Sequence, residues 1–369
     1  MKIIVTGGAG FIGSHLVDDL IGLGHHVTII DKLDPAVHPN GQKPSYLNTD
    51  ATFIKADIRN RSVLESSILG ADVIFHLSSS TAVGQSTHQI AHYVSNNIQA
   101  TAILWDLLAN TSHSVKKVIL ASSRAVYGEG LYHCGQCNKE FAAAPRKESD
   151  LKKGIWEIRC PTCSGFATPL RAHEQMSASP ASVYGITKST QEEISICCAK
   201  AVNLPVAVLR FSNVYGARQS MYNPYVGISS IFASNVINEK PVEIYEDGLE
   251  SRDFVHVKDV VQACILAMDS SKADNEVFNV GSGQIVSILE LARTIIKKLN
   301  SNIEPKIVGK YRIGDIRHLH MDISKIKRVL GFEPLYSFSK GVNCFINWVK
   351  SEKPADFYKC HRFGKSCNL

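Results

Sequence analysis

The chain has 369 residues, 44% of them hydrophobic and 20% charged, which excludes a disordered, collagen-like or coiled-coil protein. Its 40 Lys and Arg against 34 Asp and Glu leave a formal charge of +6, suited to an anionic small molecule but well short of a nucleic-acid-binding surface. The length predicts one large α/β unit with a smaller partner.

The apolar start Met1-Lys2-Ile3-Ile4-Val5 stops at Thr6-Gly7-Gly8, which predicts a buried strand entering a turn rather than an export signal. No apolar run approaches the roughly 18 residues of a membrane span. A cytoplasmic protein is expected, with its ten cysteines reduced or metal-bound rather than disulfide-paired. Strands are predicted at Ile3–Val5, Val27–Ile30, Phe53–Ile54, Val73–Leu77, Val118–Ala121 and Val206–Leu209. Helices are predicted between them, at Ile12–Leu23, Ile98–Ala109 and Thr187–Ala201. Continuous apolar strands alternating with helices imply a parallel sheet buried on both faces, and so a doubly wound Rossmann-type α/β fold.

The segment from about Leu131 to Leu170 breaks this rhythm. The expected organisation is a dinucleotide-binding domain over 1–130 and 171–212, an insertion over 131–170, and a smaller substrate lobe over 213–350. Residues 255–285 are expected to return to the first domain. Residues 351–369, with Cys360, His361 and Cys367, read as a tail.

Three motifs carry chemistry. Gly7, Gly8, Gly10, Phe11, Ile12 and Gly13 follow the first strand and open the first helix. Glycines there let the backbone approach a pyrophosphate, and the helix start offers it free N–H groups. Asp31 ends the next strand, where a carboxylate accepts from ribose hydroxyls and repels a 2′-phosphate. NAD is therefore favoured over NADP, although Lys32 softens that preference. Asp57 and Ile58 are placed to meet the adenine, or Asp57 caps a helix.

Tyr184 and Lys188 sit about one helical turn apart. A phenol titrates near pH 10, so a neighbouring ammonium and a cationic nicotinamide are needed to favour phenolate. The strand end Ala121-Ser122-Ser123 supplies hydroxyls for a substrate oxygen.

Cys134-x-x-Cys137 and Cys160-x-x-Cys163 have zinc-ribbon spacing, which predicts a closed, structural four-thiolate site beside the active site; redox pairs or free thiols are the alternative. Cys197 and Cys198 fall in a helix and read as core or interface residues.

Thr6-Gly-Gly-Ala-Gly-Phe-Ile-Gly13, Asp31, Ser122-Ser123-x-x-Val126-Tyr127-Gly128, Tyr184-x-x-x-Lys188, Asn213-Val-Tyr-Gly216 and Arg252-Asp-Phe-Val-His-Val257 together resemble the extended short-chain dehydrogenase/reductases. More narrowly they resemble the nucleotide-sugar epimerases and dehydratases, and with Leu131–Cys163 the group of dTDP-L-rhamnose 4-epimerases. The resemblance runs from residue 1 to about 350, apart from the insertion.

It implies a homodimeric NAD-dependent enzyme. Ser123, Tyr184 and Lys188 would be catalytic, and Leu77, Asn97 and Ser122 would stand near the cofactor. Asn213, Arg252 and Arg312 would meet the nucleotide diphosphate. Arg124 and Ala125 stand where similar dehydratases carry an Asp-Glu pair, which argues for epimerisation over dehydration. Arg124 either faces the sugar or points outward. Asn223-Pro224-Tyr225 resembles a substrate loop of the rhamnose epimerases. C4 epimerisation of a dTDP-6-deoxyhexose is the expected reaction. A UDP-sugar epimerase, dehydratase or decarboxylase, or a non-catalytic nucleotide-sugar binder, is the alternative. Neither nucleic acid nor a membrane is an expected partner.

Overall fold

The computed structural model describes residues 1–38, 41–221, 223 and 227–352. Pro224, Tyr225 and the tail cysteines, named above, lie outside the described residues.

Seven strands form one parallel sheet. In chain order they are β1 (Lys2–Thr6), β2 (His26–Asp31), β3 (Thr52–Lys55), β4 (Val73–His76), β5 (Lys117–Ser123), β6 (Val206–Phe211) and β7 (Glu276–Val280). Their spatial order is β7-β6-β5-β4-β1-β2-β3, with every neighbouring pair parallel. The chain leaves β1 toward one edge and later returns to the other side of it, so a crevice opens between β1 and β4 at the carboxyl ends of the strands.

Alternation explains why the strands read as continuous apolar runs. Ile3 and Val5 point into a core shared with α1 (Phe11–Gly22), whereas Ile4 points into a second core with α2 (Arg61–Ile68) and α3 (Ala100–Asn110) on the opposite face. In β6, Val206 and Val208 enter the α3 core, and Ala207 and Leu209 enter the α1 core. Both faces of the central strands are covered by helices, so apolar residues occupy successive positions along them.

The elements expected from sequence are present with ends shifted by one or two residues. Two differ in kind. The helix expected from Ile98 begins as a π turn, Val94–Gln99, before α3. The helix that carries Tyr184 and Lys188, α4 (Val183–Val202), starts four residues before the expected Thr187, capped by Ser182, whose hydroxyl accepts from the Gly185 N–H at 3.0 Å.

Two further units abut the sheet. In one, the strand Ser251–His256 pairs in parallel with Asn213–Tyr215 and His318–Met321, and antiparallel with Ile285–Ser287. A third apolar cluster, from Tyr215 and Phe254 to Phe345, fills it. The other is the insertion, which had read as aperiodic. It forms a small antiparallel sheet of Leu131–Cys134, Lys139–Ala142 and Thr168–Pro169, closed around Tyr132, Ala143, Ile158 and Ala167. These strands are too short for alternation to show in sequence. Among the described residues, no helix is long and apolar enough to cross a membrane.

Candidate active site

The turn after β1 builds a cradle from backbone alone. Gly7 adopts φ +72°, and a Cβ on Gly13 would press into the Gly7 carbonyl. The following helix starts at Gly10 without a side-chain cap, which leaves the N–H groups of Phe11, Ile12 and Gly13 for an anion. Gly7, Gly10 and Gly13 line one cleft of about 1170 Å3, together with Phe11 and Ile12. Gly8 does not line it. A Cβ there would lie 2.9 Å from the Ile29 side chain, so Gly8 serves the packing of turn on strand.

Asp31 also lines this cleft. Its carboxylate is oriented by two backbone donors, Ala9 N–H at 3.1 Å and Leu33 N–H at 2.9 Å. Lys32 is drawn off to Asp34 at 2.9 Å, so it does not neutralise Asp31 through an ion pair. Asp57 and Ile58 form another part of the wall, with Leu77. Asp57 caps no helix. It accepts three bonds from Arg59, two from the guanidinium and one from the backbone N–H, which hold its carboxyl below the usual range, and Asn60 caps the helix Arg61–Ile68. A backbone anion cradle at one place in the cleft and a free-edged carboxylate at another fit a dinucleotide.

The same cleft reaches Ser122, Tyr184 and Lys188. The Lys188 side chain is buried and donates to the Ala121 carbonyl at 2.9 Å. Burial pulls its ammonium down to about 7, against the opposing field of Glu192 one turn further on. Burial pushes the Tyr184 phenol up, while a hydrogen bond with Ser123 and the Arg124 guanidinium pull it back. Ser123 also accepts from the Ala125 N–H at 3.1 Å, which turns the chain out of β5. Gly185 permits the close approach of α4 to that turn, because a Cβ there would sit 2.6 Å from the Ala125 carbonyl.

Ser122 and Asn97 play roles that sequence did not anticipate. Ser122 donates to Glu192, which in turn pairs with Arg210 at 2.7 Å in the buried interior. Asn97 is fully buried and does not line the cleft. It donates to the Ser80 carbonyl and the Thr187 hydroxyl and accepts from the Ser80 N–H, tying the loop after β4 to α4. Asn97 is therefore a positioning residue. Glu192 carried a legible signal, its four-residue spacing from Lys188.

The residues expected at the substrate diphosphate are differently disposed. Asn213 has a buried side-chain oxygen with no hydrogen-bond partner. Arg252 donates to the carbonyls of Ser251 and Arg317 at 2.9 Å, and to that of Ile316. Arg312 is exposed, with its guanidinium 4.7 Å from the Tyr245 ring centroid. Arg124 does not point outward. Its Nη1 is buried without a partner, and burial and the nearby Arg252 charge push the guanidinium down to about 9.

In the insertion, the four cysteine sulfurs lie within 4.8 Å of one another. Cys134 and Cys163 are 3.5 Å apart, and Cys137 and Cys160 are 3.9 Å apart. A disulfide needs about 2.05 Å. A tetrahedron with metal–sulfur bonds of about 2.3 Å has edges of about 3.8 Å, which these distances bracket. The Cys137 and Thr162 N–H groups point at the Cys134 and Cys160 sulfurs, each at 3.4 Å.

A glycine cradle and a buried Tyr–Lys pair on one parallel sheet define an enzyme of the short-chain dehydrogenase/reductase type. The chain belongs to the NAD dependent epimerase/dehydratase family. That family's model matches residues 3–148, and the GDP-mannose 4,6 dehydratase model matches residues 165–345. The dTDP-L-rhamnose 4-epimerase of Burkholderia thailandensis is 33% identical, over 95% of this chain and 95% of that protein. Among solved structures, the UDP-glucose 4-epimerase of Thermotoga maritima with UDP-glucose superposes with a TM-score of 0.78 at 30% identity, covering 95% of this chain and 99% of that one. The UDP-glucuronic acid 4-epimerase of Bacillus cereus, in complex with UDP-glucuronic acid and NAD, superposes with a TM-score of 0.77 at 26% identity and the same coverage.

Proposed function

We propose that the protein is an NAD-dependent nucleotide-sugar 4-epimerase acting through a transient 4-keto sugar, with a dTDP-linked 6-deoxyhexose as substrate. The observation that carries this reading is the pairing of Tyr184 with buried Lys188 on the wall of the cleft that holds the glycine cradle, where Ser123 lowers the cost of the phenolate. NAD, when bound, supplies the hydride acceptor and later the donor. Gly7, Gly10 and Gly13 would hold its pyrophosphate, Asp31 its adenosine ribose and Lys188 its nicotinamide ribose.

Tyr184 takes the proton of the C4 hydroxyl while the C4 hydride leaves the sugar. Ser123 holds the same oxygen and steadies the ketone. The ketone turns over in the pocket, hydride returns to its opposite face, and Tyr184 gives the proton back. Arg124 and Ala125 provide no carboxylate to drive loss of water, which favours epimerisation over dehydration. Asn213, Arg252 and Arg312 supply a carbonyl-rich and cationic wall for the nucleoside diphosphate.

One observation favours a second substrate class. The unpartnered Arg124 Nη1 near Tyr184 suits a sugar that carries an acceptor at C6, such as a hexose hydroxyl or a uronic acid carboxylate. A panel of dTDP-, UDP-, GDP- and CDP-sugars in deuterated buffer decides. C4 inversion with little solvent deuterium at C4 is expected. Inversion at C2, C3 or C5 with deuterium incorporated there would overturn hydride transfer.

Two structural features complete the proposal. Zinc at Cys134, Cys137, Cys160 and Cys163 closes the insertion, supported by the sulfur separations. A homodimer forms through α3 and α4, supported by the family resemblance and by exposed Ile90, Val94 and Ile186 at or near their starts. A cytoplasmic setting belongs to the same reading, since thiols at metal-ligand spacing require a reducing compartment.

A further inference from the structure

The insertion and the substrate lobe meet through a cluster of charges that the proposed reaction does not use. Arg317 is fully buried, yet donates to Glu157 at 2.9 and 2.5 Å, to Asp247 at 2.7 and 2.9 Å, and to Glu246 at 3.1 Å. Its own N–H donates to Glu129 at 2.8 Å. Arg146 lies alongside, bonded to Glu246 at 2.8 Å and to the Asp315 carbonyl at 2.7 Å. Glu157 also meets His318 at 3.1 Å. Arg146 and Glu157 belong to the insertion, and the other partners lie in the turn after β5 or in the substrate lobe.

What they hold is the segment 315–317. Its Ile316 and Arg317 carbonyls accept from Arg252, so the position of these two carbonyls sets the aim of that guanidinium. Glu157 is in turn fixed by the knuckle. Two residues on, Arg159 makes an isolated antiparallel bridge with Phe166, and the chain passes directly into Cys160, whose N–H donates to the Gly165 carbonyl at 2.8 Å. A continuous chain of rigid contacts therefore leads from the four thiolates through Glu157 and Arg317 to Arg252.

We infer that the cysteine insertion is a wall of the substrate site, and that a metal ion on its four thiolates sets affinity for the nucleoside diphosphate by positioning Arg252 through Glu157 and Arg317. This rests on the nucleotide-sugar reading above. Burial weakens both the Arg124 and the Arg252 guanidinium, and the Arg252 charge weakens Arg124 further. A diphosphate between them would relieve that repulsion, provided both are held in place.

The test uses the full chain with zinc present, after chelation, and after zinc is restored. It also uses Glu157→Gln, with Glu157→Asp as the conservative variant and the exposed Glu148→Gln as control. Affinity for UDP and dTDP is read by calorimetry, and bound NAD by absorbance released on denaturation. Chelation and Glu157→Gln should each weaken UDP or dTDP binding by about tenfold or more, the loss expected for a hydrogen bond to a charged group. Zinc should restore the first, Glu157→Asp should recover part of the second, and Glu148→Gln should bind as the parent does. NAD content should stay constant throughout. Unchanged affinity in the chelated protein and in Glu157→Gln would overturn the inference. Loss of NAD together with nucleotide on chelation would also overturn it, because a local wall leaves the cofactor half intact. A parent protein that binds neither nucleotide would overturn the nucleotide-sugar reading itself.

Discussion

Tyr184 depends on its neighbours for reactivity. Burial holds its phenol neutral, while Ser123 and Arg124 lower the cost of the phenolate. Tyr184→Phe keeps the ring and its edge contact with Tyr93, 6.4 Å between centroids, but removes the proton acceptor. Turnover should fall by about 10²- to 10⁴-fold, with nucleotide-sugar affinity largely kept. A variant with most of its rate intact would show that another group is the base. His76 tests the same burial physics away from the chemistry. Its ring is neutral between the Thr6 and Thr101 hydroxyls, at 2.9 and 3.0 Å, and burial pulls it from 6.5 to about 3. The unfolded chain therefore binds a proton that the folded chain refuses between those values. His76 loses its stabilising contribution as pH falls from 6.5 toward 3. The stability advantage of the parent over His76→Gln should narrow by up to about 1.4 kcal/mol per pH unit in that window, read by denaturant titration. A constant gap would mean that the ring is protonated in the fold.

At the scale of elements, the insertion was legible in its cysteine spacing and illegible in its connections. Metal analysis should find about one zinc per chain. Cys134→Ser or Cys160→Ser should lose it and leave the segment 131–170 open to proteolysis, while the sheet stays folded. Protein prepared without chelator that holds no zinc, with freely titrating thiols, would refute the site. The catalytic helix was legible because Tyr184 and Lys188 repeat at its pitch. The true start was not, since Ser182 is an ordinary serine until its hydroxyl meets the Gly185 N–H. The glycine turn fits two fingerprint registers, Gly8-Gly10-Gly13 and Gly7-Gly10-Gly13, and only the Gly7 conformation and the cleft lining separate them.

Over the whole molecule, the three units are joined by buried charge rather than by apolar contact alone. Arg317→Met would leave Asp247 and Glu157 without their guanidinium and Glu246 with Arg146 alone. Removing one partner of a buried pair costs about 3–5 kcal/mol, so this variant should unfold at markedly lower denaturant. A shift within experimental scatter would mean that the carboxylates find other partners. Light scattering should give a dimer at working concentration. Ile186→Glu, which charges a half-exposed position on α4, should shift it toward monomer; a monomeric parent would refute the pairing.

Some features were legible from local period and spacing. These are the apolar strands of a sheet covered on both faces, the glycine turn with Asp31 one strand later, the Tyr–Lys pair, and the two cysteine knuckles. The tertiary structure alone decided the rest. It added β7, whose pairing with β6 joins residues 276–280 to 207–211. It bonded Asn97 to Ser80 and Thr187, and it set the buried Arg124 near Tyr184 and Arg252. It also brought Arg317 to Glu129 across 188 positions of chain. A buried charge looks like a surface charge in sequence, because what distinguishes them is a partner far along the chain, and no periodicity reports where that partner will be.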